Sequence, residues 1–386
     1  MDKIIGYNYW YWLCNITKIG NSKIRAILNI FGNAKEVYDA SDKLLGYVQD
    51  LKEKDIISII ESKKDNDIYK NFIKMKEKAI NFVHIESDNY PSKLKKIYDF
   101  PYGLYYKGNL PKENIPTVAI IGARDCSNYG REIAKMFGYE FSKLGVQVIS
   151  GMARGIDSYG HVGSISAGGS TYAILGCGVD ICYPKENINL YMDILENGGI
   201  ISEYSPGTNP LAYQFPMRNR IISALADVII VVEAREKSGS LITVDQALEQ
   251  NKEVMVVPGR IGDRLSEGCN NLIKMGAQVI ITPSDAYENL GIFQYINDKL
   301  DYDNDNIEVE SDKNNITLAC QEKMVYSCVD LFPKSINSII EETGLDIKVI
   351  INVLLNLELR NYIREISKNY YVRVINSEHF SKNIGG

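Results

Sequence analysis

Seven apolar runs dense in Val and Ile recur along the middle of the chain at about twenty-five-residue spacing. They start near Val118, Val146, Tyr172, Gly199, Val228, Val254 and Val279. Runs without polar alternation belong to strands buried on both faces. Helix-length segments separate most of them, so the pattern predicts an α/β fold with a doubly wound, mainly parallel sheet over residues 116–291. Its organising stretch is TVAIIGARD, Thr117 to Asp125, where an apolar run breaks onto Gly122 and is followed by Arg124. Ser127 then offers an N-cap to a helix carrying Ile133, Phe137, Phe141 and Leu144 on one face. Strand, glycine turn and helix N-terminus together present backbone N–H groups to an anion.

The pattern changes on both sides of this sheet. Residues 1–89 read as a domain of short helices. Within it, ITKIGNSKIRAILNIF has the outline of a helix-hairpin-helix element around Gly20. Two readings stand for that element: a helical head that only packs, or a glycine turn whose N–H groups reach a nucleic-acid phosphate. Residues 90–115, rich in Pro, Tyr and Gly, read as an extended tether. Residues 292–314 are acidic and polar, which predicts a linker. From 315 to 376, two helical patterns flank Thr343-Gly344-Leu345-Asp346 and a strand pair follows, the outline of a winged-helix domain. Its second helix, DIKVIINVLLNLELR, carries few basic or amide groups, so protein contact or a structural role stands beside DNA reading.

Doubly wound sheets bind ligands at the carboxyl ends of their strands, and those ends carry the chemistry here. They supply Gly122 and Arg124; Gly151, Arg154 and Gly155; Gly178 and Lys185; Arg218, Asn219 and Arg220; Ser238, Gly239 and Ser240; and Gly259-Arg260. Bare glycines let N–H groups approach an anion, and arginine adds bidentate hydrogen bonds to phosphate. Several such loops in a row suit a polyanion. Single-stranded nucleic acid also needs surfaces on which bases stack. Alternatives remain for individual residues. Arg154 could instead pin its loop to Asp157 or a strand-end carbonyl. Arg218 and Arg220, two apart on a helix, point to different sides, which suits a structural role for one of them. Glu203 and Glu233 read as carboxylate partners for these arginines, and His161 as a helix-anchoring hydrogen bonder rather than an acid–base group.

Composition narrows the classes. A formal charge of -6 excludes a uniformly basic coat but not a local basic patch. Seven cysteines without a CxxC pair are neither a disulfide framework nor a zinc site, and fit free thiols in a reducing cytoplasm. There is no apolar run of membrane-spanning length, no signal-peptide pattern, no GxGxxG fingerprint and no Walker sequence. No cofactor is therefore expected.

The segments GARDCSNYG, SGMARGIDSYGH, LGCGVDICYPKEN, ISEYSPG, FPMRNRIISAL, VVEAREKSGSLITVDQALEQ and VPGRIGDRLSEGCNNLIKMGA together resemble the DNA-processing protein A family, also called Smf. The resemblance implies an extended Rossmann-like sheet domain, an N-terminal SAM-like or helix-hairpin-helix domain and a C-terminal winged helix. It also implies a non-enzymatic cytoplasmic protein that binds single-stranded DNA, protects incoming DNA in natural transformation and loads the RecA recombinase. The implied assembly is a homodimer through the sheet domain. Arg124 falls in the family's glycine-serine-arginine motif, with Ala123 replacing the serine, and inherits a phosphate contact. Lys185, Arg218 and Arg220 match basic positions of the family's DNA groove, and Ser238-Gly239-Ser240 matches its SGSL turn. Two other readings of the chain are a nucleotide phosphoribohydrolase on a similar sheet, tested at Glu249, and a transcription regulator reading DNA through the winged helix.

Overall fold

The computed structural model describes residues 9–64, 66–292, 295, 320–330, 333–360 and 362–374. Six helices come first: α1 (Tyr9–Cys14), α2 (Asn21–Phe31), α3 (Ala34–Asp39), α4 (Asp42–Leu45), α5 (Glu53–Ser62) and α6 (Asn66–Glu77). Short helices are stabilised by caps, and α3 and α4 have them. Asn33 Oδ1 accepts from Glu36 N–H at 2.9 Å and Ser41 Oγ accepts from Leu44 N–H at 3.4 Å. Trp12, Leu13, Ile27, Leu45 and Ile59 form their common core. Within it the Trp12 indole donates to Ser62 Oγ at 2.9 Å, so its polar atom is satisfied.

The sheet comprises β1 (Asn81–His84), β2 (Gly103–Gly108), β3 (Thr117–Ile121), β4 (Gln147–Ser150), β5 (Thr171–Leu175), β6 (Gly198–Ser202), β7 (Val228–Val231), β8 (Glu253–Val256) and β9 (Gln278–Val279). Its order is β1-β2-β6-β5-β4-β3-β7-β8-β9. Strands β3 to β9 coincide with the seven apolar runs, and every pairing among them is parallel. The connections are α7 (Asn128–Lys143), α8 (Ile156–Ser166), α9 (Ile188–Asn197), α10 (Gln214–Leu225), α11 (Gly239–Glu249) and α12 (Glu267–Lys274). Phe137 and Phe141 of α7 cover Val118, Ile120 and Val148 on one face. Ile221, Ile222 and Leu225 of α10 cover Ala119, Ile149 and Ile174 on the other. Both faces are thus dry, which is what uninterrupted Val/Ile strands require.

Strands β1 and β2 differ from expectation. The sequence pattern places residues 81–84 in the helical head and 103–108 in a tether, yet both extend the sheet, β2 pairing antiparallel with β1 and β6. Tyrosines and glycines give GLYYKG the composition of a turn, but Leu104 and Tyr105 are buried. Gly103 admits the Phe82 ring, which would lie 2.5 Å from any Cβ there.

The C-terminal elements are α13 (Cys320–Cys328), β10 (Lys334–Ser335), α14 (Ile336–Thr343), α15 (Ile347–Leu359), β11 (Ile363–Ser367) and β12 (Tyr370–Arg373), with sheet order β10-β12-β11. Helices 336–343 and 347–359 and the 363–373 hairpin lie where the sequence pattern puts them. Gly344 ends α14 at φ +65°, its N–H donating to Ile340 O at 2.8 Å. Val325, Ile339, Ile350, Leu354 and Ile363 form a separate small core. The expected linker, 292–314, lies outside the described residues except at 292 and 295. Among the described residues no helix is long and apolar enough to cross a membrane.

Candidate nucleic-acid interface

The chain leaves β3 toward β4, β5 and β6 on one side, and β7 toward β8 and β9 on the other. At such a switch point the connections diverge and open a crevice beyond the strand ends. Here it is a cleft of about 530 Å³ whose lining includes Gly122, Arg124, Phe215, Arg218, Asn219, Arg235 and Lys237 to Ser240. A depression of about 390 Å³ continues it past Gly151, Arg154 and Lys185, and shares Arg124, Tyr183, Phe215 and Arg218 with it. The strand-end loops are locked together by close backbone approach. A Cβ on Gly122 would lie 2.7 Å from Ile156 and 2.8 Å from Glu233 O. Gly155, at φ +77°, brings its backbone against Ala123 O, where a Cβ would sit at 2.2 Å.

The N-terminus of α7, expected to face an anion, is already filled. Glu233 accepts from Ser127 N–H at 2.9 Å and from Ser127 Oγ at 2.5 Å. Gly130 makes room for that carboxylate, since a Cβ there would stand 2.4 Å from it. Burial pushes the Glu233 carboxyl up from its ordinary range. Glu233 is therefore an internal cap rather than an arginine's partner, contrary to expectation. The open helix N-terminus is that of α11, where Ser238 caps Ser240 N–H at 3.4 Å and the two hydroxyls lie 2.7 Å apart. Partial positive charge there faces the cleft.

The cations divide by burial. Arg124 is exposed, with its guanidinium carbon 5.7 Å from the Phe215 ring centroid. Arg124, Lys185, Arg235 and Lys237 form no ion pair among the described residues. Arg154 meets Glu186 at 3.6 Å with both side chains more than half exposed, so it does not pin its loop to Asp157. Arg218 is buried beneath the cleft. It donates to Gly151 O at 2.8 Å, to Ile174 O, and through Nε to Asn219 Oδ1 at 3.1 Å. Gly151 is bare because a Cβ would stand 2.5 Å from that guanidinium. Burial lowers the Arg218 pKa to about 10, against the pull of Asp157, and the group stays charged at neutral pH.

Arg220 departs from the expected groove. Its side chain, 7% exposed, points away from Arg218 and holds Glu203 at 2.9 Å and Asp99 at 3.2 Å. Glu203 also accepts from Asn21 Nδ2 at 2.6 Å, so this network ties the head's α2 to the sheet. The two-residue offset on α10 is the physical reason: it turns one arginine to the strand ends and the other to the head.

Flat surfaces complete the cleft. The Tyr183 and Phe215 rings stack with centroids 5.3 Å apart and planes 28° apart. The sequence reading assigns no role to Phe215, Arg235 or Lys237; the aromatic next to RNR and the basic residues next to SGS are the signals that point to them. His161 is buried against Thr171 Oγ1 at 2.6 Å, and burial pushes its pKa down to about 3. Thr171 Oγ1 itself donates to Val148 O at 3.0 Å, so His161 is the Nδ1–H tautomer and a hydrogen-bonding anchor. Glu249 closes α11 at the end opposite the cleft, about 15 Å along the helix.

A Rossmann-like α/β protein with a cleft lined by arginine and lysine at its switch point is what this fold and site define. Residues 81–291 match the model of DNA recombination-mediator protein A, and the chain belongs to that family. The match begins at β1, consistent with β1 and β2 being part of the sheet. The DNA processing protein DprA of Streptococcus pneumoniae (strain ATCC BAA-255 / R6) is 43% identical over 203 residues, which is 52% of this chain and 71% of that one. Protein Smf of Escherichia coli (strain K12) is 34% identical over 291 residues, 75% of this chain and 76% of that one. The X-ray structure of DNA processing protein A from Streptococcus pneumoniae superposes with a TM-score of 0.64 at 33% identity, covering 73% of this chain and 98% of that chain.

Proposed function

We propose that the chain binds single-stranded DNA along the strand-end cleft and acts, without altering it, as a mediator that delivers the strand to the RecA recombinase. The observation that carries this reading is the pairing of unneutralised cations, Arg124, Lys185, Arg235 and Lys237, with the stacked Tyr183–Phe215 surface. Phosphates suit the cations and the open α11 N-terminus, and unpaired bases suit the rings. Gly122, Gly151, Gly155, Ser238, Gly239 and Ser240 shape the loops, Arg154 adds a rim charge, and Arg218 with Asn219 forms the floor. Arg220 has a tethering role. The mediator role is supported by the family's description. A cytoplasmic location follows from a DNA partner of this kind.

Three units support the reading: a helical head, a sheet domain that begins at β1, and a C-terminal winged helix. Exposed Met275 and Ile281, on either side of the edge strand β9, suit homodimer formation through the sheet domain. A phosphoribohydrolase draws no support from Glu249, which lies outside the cleft. The test is fluorescence anisotropy with labelled oligonucleotides at two salt concentrations. Single strands should bind more tightly than duplex, and affinity should drop as salt rises. Equal affinity for both forms would count against the cleft as the reader.

A further inference from the structure

Helix α15 carries two apolar faces, divided by exposed Lys348, Asn352 and Asn356. Ile350, Val353, Leu354 and Leu357 face its own small core. Ile347, Ile351, Leu355 and Leu359 are on the outside, at 48%, 50%, 54% and 77% exposure. Four-residue steps put these on one stripe about 18 Å long. A contiguous apolar stripe marks an interaction surface where scattered residues do not. Exposed Lys348 flanks the stripe at its N-terminal end, and half-buried Glu358, one oxygen of which accepts from Glu365 N–H at 2.9 Å, flanks it at its C-terminal end. Neither forms an ion pair among the described residues.

We infer that this stripe is a self-association surface, on which α15 packs antiparallel against α15 of a second copy. The two-fold axis passes between Ile351 and Leu355. Ile347 of each chain then meets Leu359 of the other, and Ile351 meets Leu355. The charges choose the direction. Antiparallel packing sets each Lys348 beside the other chain's Glu358, whereas parallel packing opposes Lys348 to Lys348 and Glu358 to Glu358. A nucleic-acid occupant is disfavoured, because isoleucine and leucine offer phosphates nothing and the flanking charges cancel. One short helix falls below the roughly 1,200–2,000 Å² of a stable interface, so the contact is weak and dependent on concentration.

Sedimentation equilibrium of the full-length chain over a rising concentration series tests this, with the sheet domain unchanged in every sample. Lys348→Glu makes the flanks both acidic and Glu358→Lys makes them both basic. Each variant alone should lose the rise in weight-average mass that wild type shows as concentration increases, beyond any association through the sheet domain, and their equimolar mixture should restore it. Leu355→Gln should abolish the same rise without changing any charge, which covers the case in which Glu358→Lys loosens β11 by losing its acceptance from Glu365 N–H. Variants that sediment like wild type, or a mixture that stays with the single variants, would overturn the inference. So would a chain ended after Val374 that associates more than wild type, since residues 375–386 would then be what covers the stripe.

Discussion

Replacing Arg218 with leucine separates the anchoring arginine from the contacting ones. In the native fold its guanidinium donates to the carbonyls of Gly151 and Ile174 and to Asn219 Oδ1. It also faces Asp157, itself buried and accepting from Gly151 N–H at 3.1 Å. Leucine removes the cation and leaves two strand-end carbonyls without their partner. Stranding two buried carbonyls costs about 1–3 kcal/mol each, so a loss of roughly 2–6 kcal/mol is expected, with Asp157 losing a nearby cation and not an ion-pair partner. For a cooperative unit the size of residues 81–291, each kcal/mol moves the melting midpoint by about 2–4 °C, so a drop on the order of 10 °C is expected. Adding Asp157→Asn removes the uncompensated charge and should recover about 1 kcal/mol or more, because the two side chains are coupled. Urea titration followed by circular dichroism reads both values. Arg124→Ala is the counterpart: exposed and unpaired, it should change stability by no more than about 0.5 kcal/mol while weakening DNA binding. If Arg218→Leu melts like wild type and loses only DNA affinity, the guanidinium is a phosphate ligand and the anchoring argument is wrong.

Three further outcomes follow from the same geometry. Phe215→Ala should lower single-strand affinity by about 1–3 kcal/mol with an unchanged salt slope, since it removes stacking and no charge; a reduced slope in the titration would refute this. Gly130→Ala drives a methyl into the Glu233 carboxylate and should lose about 1–3 kcal/mol of stability, with an unshifted urea midpoint as the contrary result. Burial holds His161 neutral, with its pKa down at about 3 against an ordinary value near 6.5. The unfolded chain therefore takes up a proton that the folded one refuses, and stability present above about pH 6.5 is lost as pH falls toward 3. At about pH 4.5 the loss should reach roughly 2–3 kcal/mol, and His161→Gln should flatten that part of the profile. An identical pH profile in the variant would exclude His161 as the cause.

The parallel core of the fold was legible because strands buried on both faces must be apolar at every position, as Val118 to Ile121 and Val228 to Val231 are. Strands β1 and β2 were not, because an edge hairpin can be built from tyrosine and glycine once a neighbouring aromatic such as Phe82 fills the space. At the strand ends, glycine and arginine after a buried strand are a local signal, which is why the cleft-lining positions of Gly122, Arg124, Gly151 and the Ser238 turn were legible. What a side chain turns toward is a tertiary property. The helical offset between Arg218 and Arg220 showed that they diverge but not which one would meet Glu203. Glu233 is separated from Ser127 by more than a hundred residues, and nothing in either segment announces that one fills the other's helix terminus. The Tyr183–Phe215 stack joins two connections in the same way.

The most direct measurement is the salt dependence of single-strand affinity for the full-length chain beside an Arg124→Ala/Lys185→Ala/Lys237→Ala variant. Each phosphate neutralised contributes about 0.7 to the slope of log affinity against log salt for a single strand. A slope lower by roughly 2 in the variant, with its melting curve intact, is the predicted result. A slope equal to that of the wild type would place the DNA elsewhere on the molecule.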